Sequence, residues 1–223
     1  MWQALHHEFQ PHGVDVVTIA LDTPTAAAPW LAPLEVDGPL ALVDEALLTV
    51  DAFGWVNVPS TVWFDETGCI VRGPEISFVK PKQELPTHDA MPAEQRETFD
   101  FINAFPHGGQ AWLHALRDWV EHGDASRYAR SADEVIARSR RYGIDAARAA
   151  AHYALAEVLR HRGRVAGAIS HQREAHRLDP EQWNRKRQAW AVNGGPDQFA
   201  TSFLDEMRAF GPTSFYPPVD LAP

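Results

Sequence analysis

The sequence predicts a mixed α/β part followed by an all-α part. Strand-type and helix-type segments alternate up to a β-hairpin that ends near residue 73, whereas from Ser131 onward every periodic segment has helical spacing. The charge balance changes sign between the two. Residues 1–126 carry 5 Lys/Arg against 19 Asp/Glu and residues 127–190 carry 14 against 7, in a chain of 223 residues and net charge −10. A change of that size marks a boundary near residue 126, and its simplest meaning is that the two parts attract each other or present solvated helix faces, with a dedicated acidic partner as the alternative.

Composition sets the outer limits. With 45% apolar and 22% charged residues the chain can bury one sizeable core or two small ones. The net negative charge argues against a general nucleic-acid binder. No run reaches the length of a membrane helix, and Met1-Trp-Gln-Ala-Leu-His-His7 has neither a basic region nor an apolar leader core, so no membrane association and a cytoplasmic location are expected for the chain as written. The single cysteine, Cys69, excludes an intramolecular disulfide and any Cys-x-x-Cys redox or zinc site within these residues.

Taken in order, Trp2, Leu5 and Phe9 have helical spacing, and Pro11 with Gly13 ends that helix. Residues 14–21 (Val-Asp-Val-Val-Thr-Ile-Ala-Leu) are β-branched and apolar, as in a strand covered on both faces of a parallel sheet. Residues 26–34 form a short helix containing Pro29 and Pro33, residues 40–43 a short strand, and residues 45–53 a helix closed by Gly54. The stretch Val56-Asn-Val-Pro-Ser-Thr-Val-Trp-Phe-Asp-Glu-Thr-Gly-Cys-Ile-Val-Arg72 then reads as a proline loop leading into a hairpin. Val62, Phe64, Cys69 and Val71 fall on an alternating pattern, and Asp65-Glu-Thr-Gly68 makes the turn. Residues 74–98 read as a long irregular connection, with a helix expected only within 92–105.

Residues 109–122 form an amphipathic helix with Trp112, Leu113, Leu116, Trp119 and Val120 on one face, expected to pack on the sheet or bridge to the next part. Ser131-Ala-Asp-Glu134 is a capping box opening a helix that runs to Tyr142-Gly143. Residues 146–180 form a helical pair turned at Gly163. Asp179-Pro-Glu181 caps a helix with Trp183 and Trp190 that Gly194-Gly-Pro196 breaks, residues 198–210 form a last helix, and residues 212–223 an extended tail.

Two resemblances follow from these residues. Val58-Pro-Ser60, the strand after it, the Asp65-Glu-Thr-Gly68 turn and Cys69-Ile-Val-Arg72 resemble the cis-proline loop and terminal hairpin of a thioredoxin-fold redoxin of the TlpA/ResA type, over residues 1–73. Trp2-Gln-Ala-Leu-His6 is similar to an element that some redoxins place in the helix following their catalytic motif. Leu155, Ala156, Leu159, Gly163, Ala168, Ala175 and Pro180 resemble one tetratricopeptide repeat, with His152 and Gln172 at two positions where that motif has aromatic residues. The implied architecture is an N-terminally incomplete thioredoxin-like α/β domain over 1–73, a connector over 74–125, an all-α tetratricopeptide-like region over 126–211 and a tail over 212–223. The redoxin pattern lacks one central strand and its Cys-x-x-Cys turn. The strand would lie between residues 14–21 and 61–64, whose edges it would otherwise cover.

The resemblance implies a substrate-binding role for Val58, whose backbone would pair with an extended substrate, and for Pro59, as the cis-proline. It implies no catalytic residue in this chain, because the nucleophile and its resolving partner are both missing. Some such relatives carry selenocysteine in place of the first cysteine, and a selenocysteine codon read as a stop would start the chain at a later Met. Two functions therefore stand open. One is a thiol-disulfide oxidoreductase whose Cys or selenocysteine motif is absent by N-terminal truncation, which leaves enzyme activity undecided for these residues. The other is a catalytically inert protein-binding module that uses the proline-loop face and the helical region, with a protein or peptide partner and possible homodimerisation across the exposed sheet edges.

Other chemistry finds less support. Cys69 has no His or Lys placed in sequence to activate it and reads as a buried or half-buried structural residue. His171, Glu174 and His176 are the tightest metal-type cluster, but positions five apart on a helix diverge and no His-Glu-x-x-His occurs, so no metal is expected. No Gly-x-Gly-x-x-Gly, Walker loop or Gly-x-Ser-x-Gly elbow is present, so no cofactor is expected either. The arginine-rich turns at 138–141, 160–164 and 185–187 could meet an acidic or phosphorylated partner, with solvated surface helices as the plainer reading.

Overall fold

The computed structural model describes residues 2–34, 37–77, 96, 100, 109–193 and 202–221. Helix α1 (Trp2–Phe9) leads to strand β1 (Val17–Ala20), helix α2 (Pro24–Leu31), strand β2 (Leu40–Val43) and helix α3 (Leu48–Phe53). The hairpin β3 (Ser60–Phe64) and β4 (Ile70–Ile76) follows. Helices α4 (Gly109–His122), α5 (Ala132–Arg138), α6 (Ile144–His161), α7 (Val165–Leu178), α8 (Trp183–Asn193), α9 (Phe203–Phe210) and the single turn α10 (Pro212–Phe215) complete the chain. The molecule is thus mixed α/β with a helical second part. No helix among the described residues is long and apolar enough to cross a membrane.

The strands form two separate pairs. β1 pairs with β2 in parallel, Val17 opposite Leu40 and Ala20 opposite Val43, while β3 pairs with β4 in antiparallel register from Ser60 opposite Ile76 to Phe64 opposite Ile70. β1 is shorter than the 14–21 expected, and Val17 is 50% exposed. It lacks the two-sided cover expected of it, since none of its four residues is fully buried.

Local chemistry explains most shifted boundaries. α3 starts at Leu48, three residues later than expected, because the Asp44 carboxylate accepts from the N–H groups of Leu48 (2.9 Å) and Thr49 (2.7 Å) and so caps the helix there. β4 runs to Ile76, through residues 74–76 that read as irregular connection. Two register shifts interrupt the pairing around Trp63; Trp63 and Val71 are buried, while Phe64, which the alternating pattern groups with Val71, is 42% exposed. α5 has its capping box but stops at Arg138: Ser139 is extended (ψ 143°) and Arg140 is held by Asp179. The tail is not extended throughout, since residues 212–215 form a helical turn. The helix expected within 92–105, the Gly194-Gly-Pro196 break and the start of the 198–210 helix fall wholly or mostly outside the described residues.

Three apolar clusters join the two parts. In the largest, Leu5 and Phe9 of α1, Trp63 and Val71 of the hairpin, and Trp112, Leu116 and Trp119 of α4 pack together and meet Tyr128 from beyond residue 126, with Trp63 stacked on Trp119 at 5.3 Å. α4 therefore packs on the sheet as its stripe predicts. A second cluster sets Ile76 against Trp183 and Phe215, and a third sets Leu47 and Val50 against Tyr153 and Ala175 of the α6–α7 pair. At roughly 1.5–3 kcal/mol for each large buried side chain, this packing dominates the contacts across residue 126. Ion pairs follow the same seam: Arg185 meets Asp51, and Arg130 meets Glu75 at 3.1 Å. The basic helices find acidic partners within the chain itself.

Candidate functional site at the proline loop

The loop from Gly54 to Pro59 is built from a helix end and a strand start. Gly54 closes α3 at φ 71°, a left-handed value that costs glycine little. Trp55 is buried, and its carbonyl accepts from the Gln182 side chain at 3.0 Å and the Asn184 side chain at 3.1 Å. The Val56 carbonyl accepts from the backbone N–H groups of Trp183 (2.8 Å) and Asn184 (3.3 Å), which satisfies donors that the start of α8 cannot pair within the helix. Asn57 is fully buried. Its amide donates to the Phe215 carbonyl (3.0 Å), and its Oδ1 accepts from the Val58 N–H and from Arg187, each at 3.0 Å.

The two residues with an expected substrate role come next. The Val58–Pro59 peptide is cis. Val58 is half-buried and both of its polar backbone groups have partners inside the chain: its N–H donates to Asn57, and its carbonyl accepts from the Tyr216 hydroxyl at 2.8 Å. The Pro59 carbonyl accepts from Ser77 N–H at 3.0 Å, and the Ser60 hydroxyl donates to the Asn57 carbonyl at 2.7 Å. A strand that paired with Val58 would have to take its N–H from Asn57 and displace Tyr216 or share the carbonyl with it.

Beside the loop lies a cleft of about 370 Å³ between β4, α5 and the tail. Glu75, Arg130, Arg138 and Asp220 line it, and Arg72, though not part of the lining, binds two of these residues. Arg72, 1% exposed, donates to Glu75 (2.7 Å), to the Tyr128 carbonyl (2.9 Å) and to the Asp220 carbonyl, and its guanidinium lies 5.2 Å from the Trp63 ring centre. Arg130 donates to Glu75 and to the same Asp220 carbonyl at 2.7 Å, and Arg138 pairs with the Asp220 carboxylate. Burial and the neighbouring Arg72 charge push the Arg130 guanidinium below its ordinary value.

Cys69 corrects the expectation of a buried thiol: it is exposed, at the end of the turn and outside both strands. Gly68 turns at φ 82°, and Asp65 Oδ1 accepts from the Thr67 hydroxyl (2.7 Å), the Thr67 N–H (2.9 Å) and the Cys69 N–H (2.9 Å), which pulls Cys69 into the turn. The Thr67 hydroxyl foremost, then the Cys69 N–H, holds the Asp65 carboxyl below its usual value.

The histidines part company in space. His171 meets His152 of α6, ring nitrogens 2.8 Å apart, whereas His176 stacks on Trp190 with ring centres 5.4 Å apart. Glu174 is bound by Arg177. No group of three or more metal-type side chains forms among the described residues. The residues that complete the loop, Asn57, Gln182, Asn184 and Tyr216, carry no motif of their own. Their only sequence signal is a cluster of amides and aromatics beside the prolines. Compared with known proteins, the chain matches no family model, no curated protein and no solved structure.

Proposed function

We propose that the chain is a thioredoxin-like protein of the thiol-disulfide oxidoreductase (redoxin) family whose Cys or selenocysteine motif lies outside this sequence. The observation that carries the reading is the strand pairing. A parallel pair β2–β1 and an antiparallel pair β3–β4, with no hydrogen bonds joining them among the described residues, are what a β2–β1–x–β3–β4 sheet leaves when its central strand x is removed. In that reading x brings the redox turn towards Pro59. Disulfide exchange needs a thiolate or selenolate to attack a substrate disulfide and a second thiol to resolve the mixed disulfide, and Cys69 alone cannot supply both. The in-frame coding sequence upstream of Met1 tests this. It is expected to encode a strand followed by a Cys or selenocysteine turn; neither feature there sinks the proposal.

A second reading, the inert protein-binding module, draws on a different observation: the backbone of Val58 is already satisfied by Asn57 and Tyr216. In this reading the loop is a docking platform, and the sheet closes by dimerisation across its edges. Sedimentation of the purified chain as a well-behaved dimer supports it. An aggregation-prone monomer that brings down no partner from native lysate counts against it.

A further inference from the structure

The surface over the hairpin has the properties of a peptide site, and the tail, residues 216–221, covers it and forms one wall of the cleft. Two nearly buried guanidiniums, on Arg72 and on Arg130 (side chain 9% exposed), donate to one main-chain carbonyl, that of Asp220. Both guanidiniums are paired with Glu75, and each has one further N–H group that goes to the Asp220 carbonyl; a buried donor is costly to leave unmet, so a carbonyl or a carboxylate is favoured at that point. Charge sharpens the demand. Without Asp220, Arg72 and Arg130 share the one carboxylate of Glu75, and Arg138 keeps only the more distant charge of Glu134; the Asp220 side chain, 49% exposed, supplies the direct ion pair of Arg138. At the other end the Val58 carbonyl takes a phenol hydroxyl, and between the two ends Pro217 and Pro218 are exposed. Prolines bring no N–H to satisfy, so a proline-rich segment can cross a cleft that offers donors at one end and a lone acceptor at the other. Val219 and Leu221 pack half-buried against the Trp63 and Trp112 cluster.

We infer that this groove is a recognition site for an extended acidic peptide of a partner protein, of the pattern Tyr-Pro-Pro-aliphatic-Asp, and that the chain's own tail holds it closed. The site is defined by contacts alone and does not rest on the redoxin reading, so either can fail without the other. Because the tail competes intramolecularly, at an effective concentration on the order of millimolar, a peptide in trans binds the wild-type chain weakly and binds a chain with a loosened tail well.

The test uses a fluorescein-labelled peptide of residues 215–221, Phe-Tyr-Pro-Pro-Val-Asp-Leu, and the full chain carrying Tyr216→Phe with Asp220→Ala, which leaves Phe215 in its core. Fluorescence anisotropy is expected to show binding to this variant at least tenfold tighter than to wild type. A further tenfold loss is expected when the peptide's Asp is replaced by Ala or when Arg138→Ala is added to the variant. A folded double variant that binds no better than wild type overturns the inference, as does equal binding of the Ala peptide. Should the variant fail to fold, hydrogen exchange at residues 219–221 of the wild-type chain gives the answer: exchange rises under saturating peptide if the groove is shared and stays unchanged if it is not. A concentration-dependent wild-type dimer that the peptide dissociates would assign the groove to the tail of a second copy and overturn the assignment to a partner protein.

Discussion

His176 lies against Trp190 in a largely buried setting, and burial, with the Lys186 charge second, pushes its imidazole down to about 3. The unfolded chain takes up that proton near the ordinary 6.5, so the contribution of neutral His176 is complete above that value and is lost as pH falls from 6.5 towards 3. His176→Phe keeps an aromatic ring against Trp190 and removes the proton site. Urea unfolding should show wild type losing on the order of 2 kcal/mol more than the variant between roughly pH 7 and pH 5; equal losses would refute the assignment. This residue was not legible in the sequence, where His176 stands beside His171 and Glu174 as a metal-type cluster. Its environment comes from Trp190, on a helix packed against its own. Cys69 departs from its expected place for a similar reason: alternation puts it in a strand, and the Asp65 side chain holds it in the turn instead.

Among the elements, those set by short-range chemistry were the legible ones. The Ser131–Glu134 capping box is present in both directions, with the Ser131 N–H donating to Glu134 at 2.9 Å. Ser131→Ala is expected to cost about 1 kcal/mol, measurable by chemical denaturation, while Ser131→Asn should stay within a few tenths of wild type. An unchanged Ala variant would mean that packing of α5 on β4, not its cap, fixes the helix. The amphipathic stripe of α4 and the turn at Gly163 were legible in the same way. The face of β3 was not, because the register shifts around Trp63 interrupt the simple alternation. Nor was the helical turn of residues 212–215, which exists where Phe215 finds Trp183, ring centres 4.7 Å apart.

At the scale of the whole molecule, the charge reversal at residue 126 and the α/β-to-helix change were both visible in the sequence; Arg185–Asp51 and Arg130–Glu75 join the two parts, while Arg140–Asp179, Arg177–Glu174 and Lys186–Glu206 pair within the second. The proline loop and its cis peptide were legible as structure, but the residues packed around it were not. Tyr216, Asp220, Gln182 and Asn184 come from more than a hundred residues away, and no local pattern announces such distant partners. What the fold leaves open is the sheet. Among the described residues, β1 and β3 each have a single hydrogen-bonded neighbour, an arrangement expected to attract further pairing. The redoxin proposal accounts for this with one central strand carrying a thiol or selenol. Intact-mass measurement of the protein isolated from its native source tests that account most directly. A mass above 24.9 kDa by at least a strand and a Cys or selenocysteine turn is the predicted result, and a native mass of 24.9 kDa contradicts it.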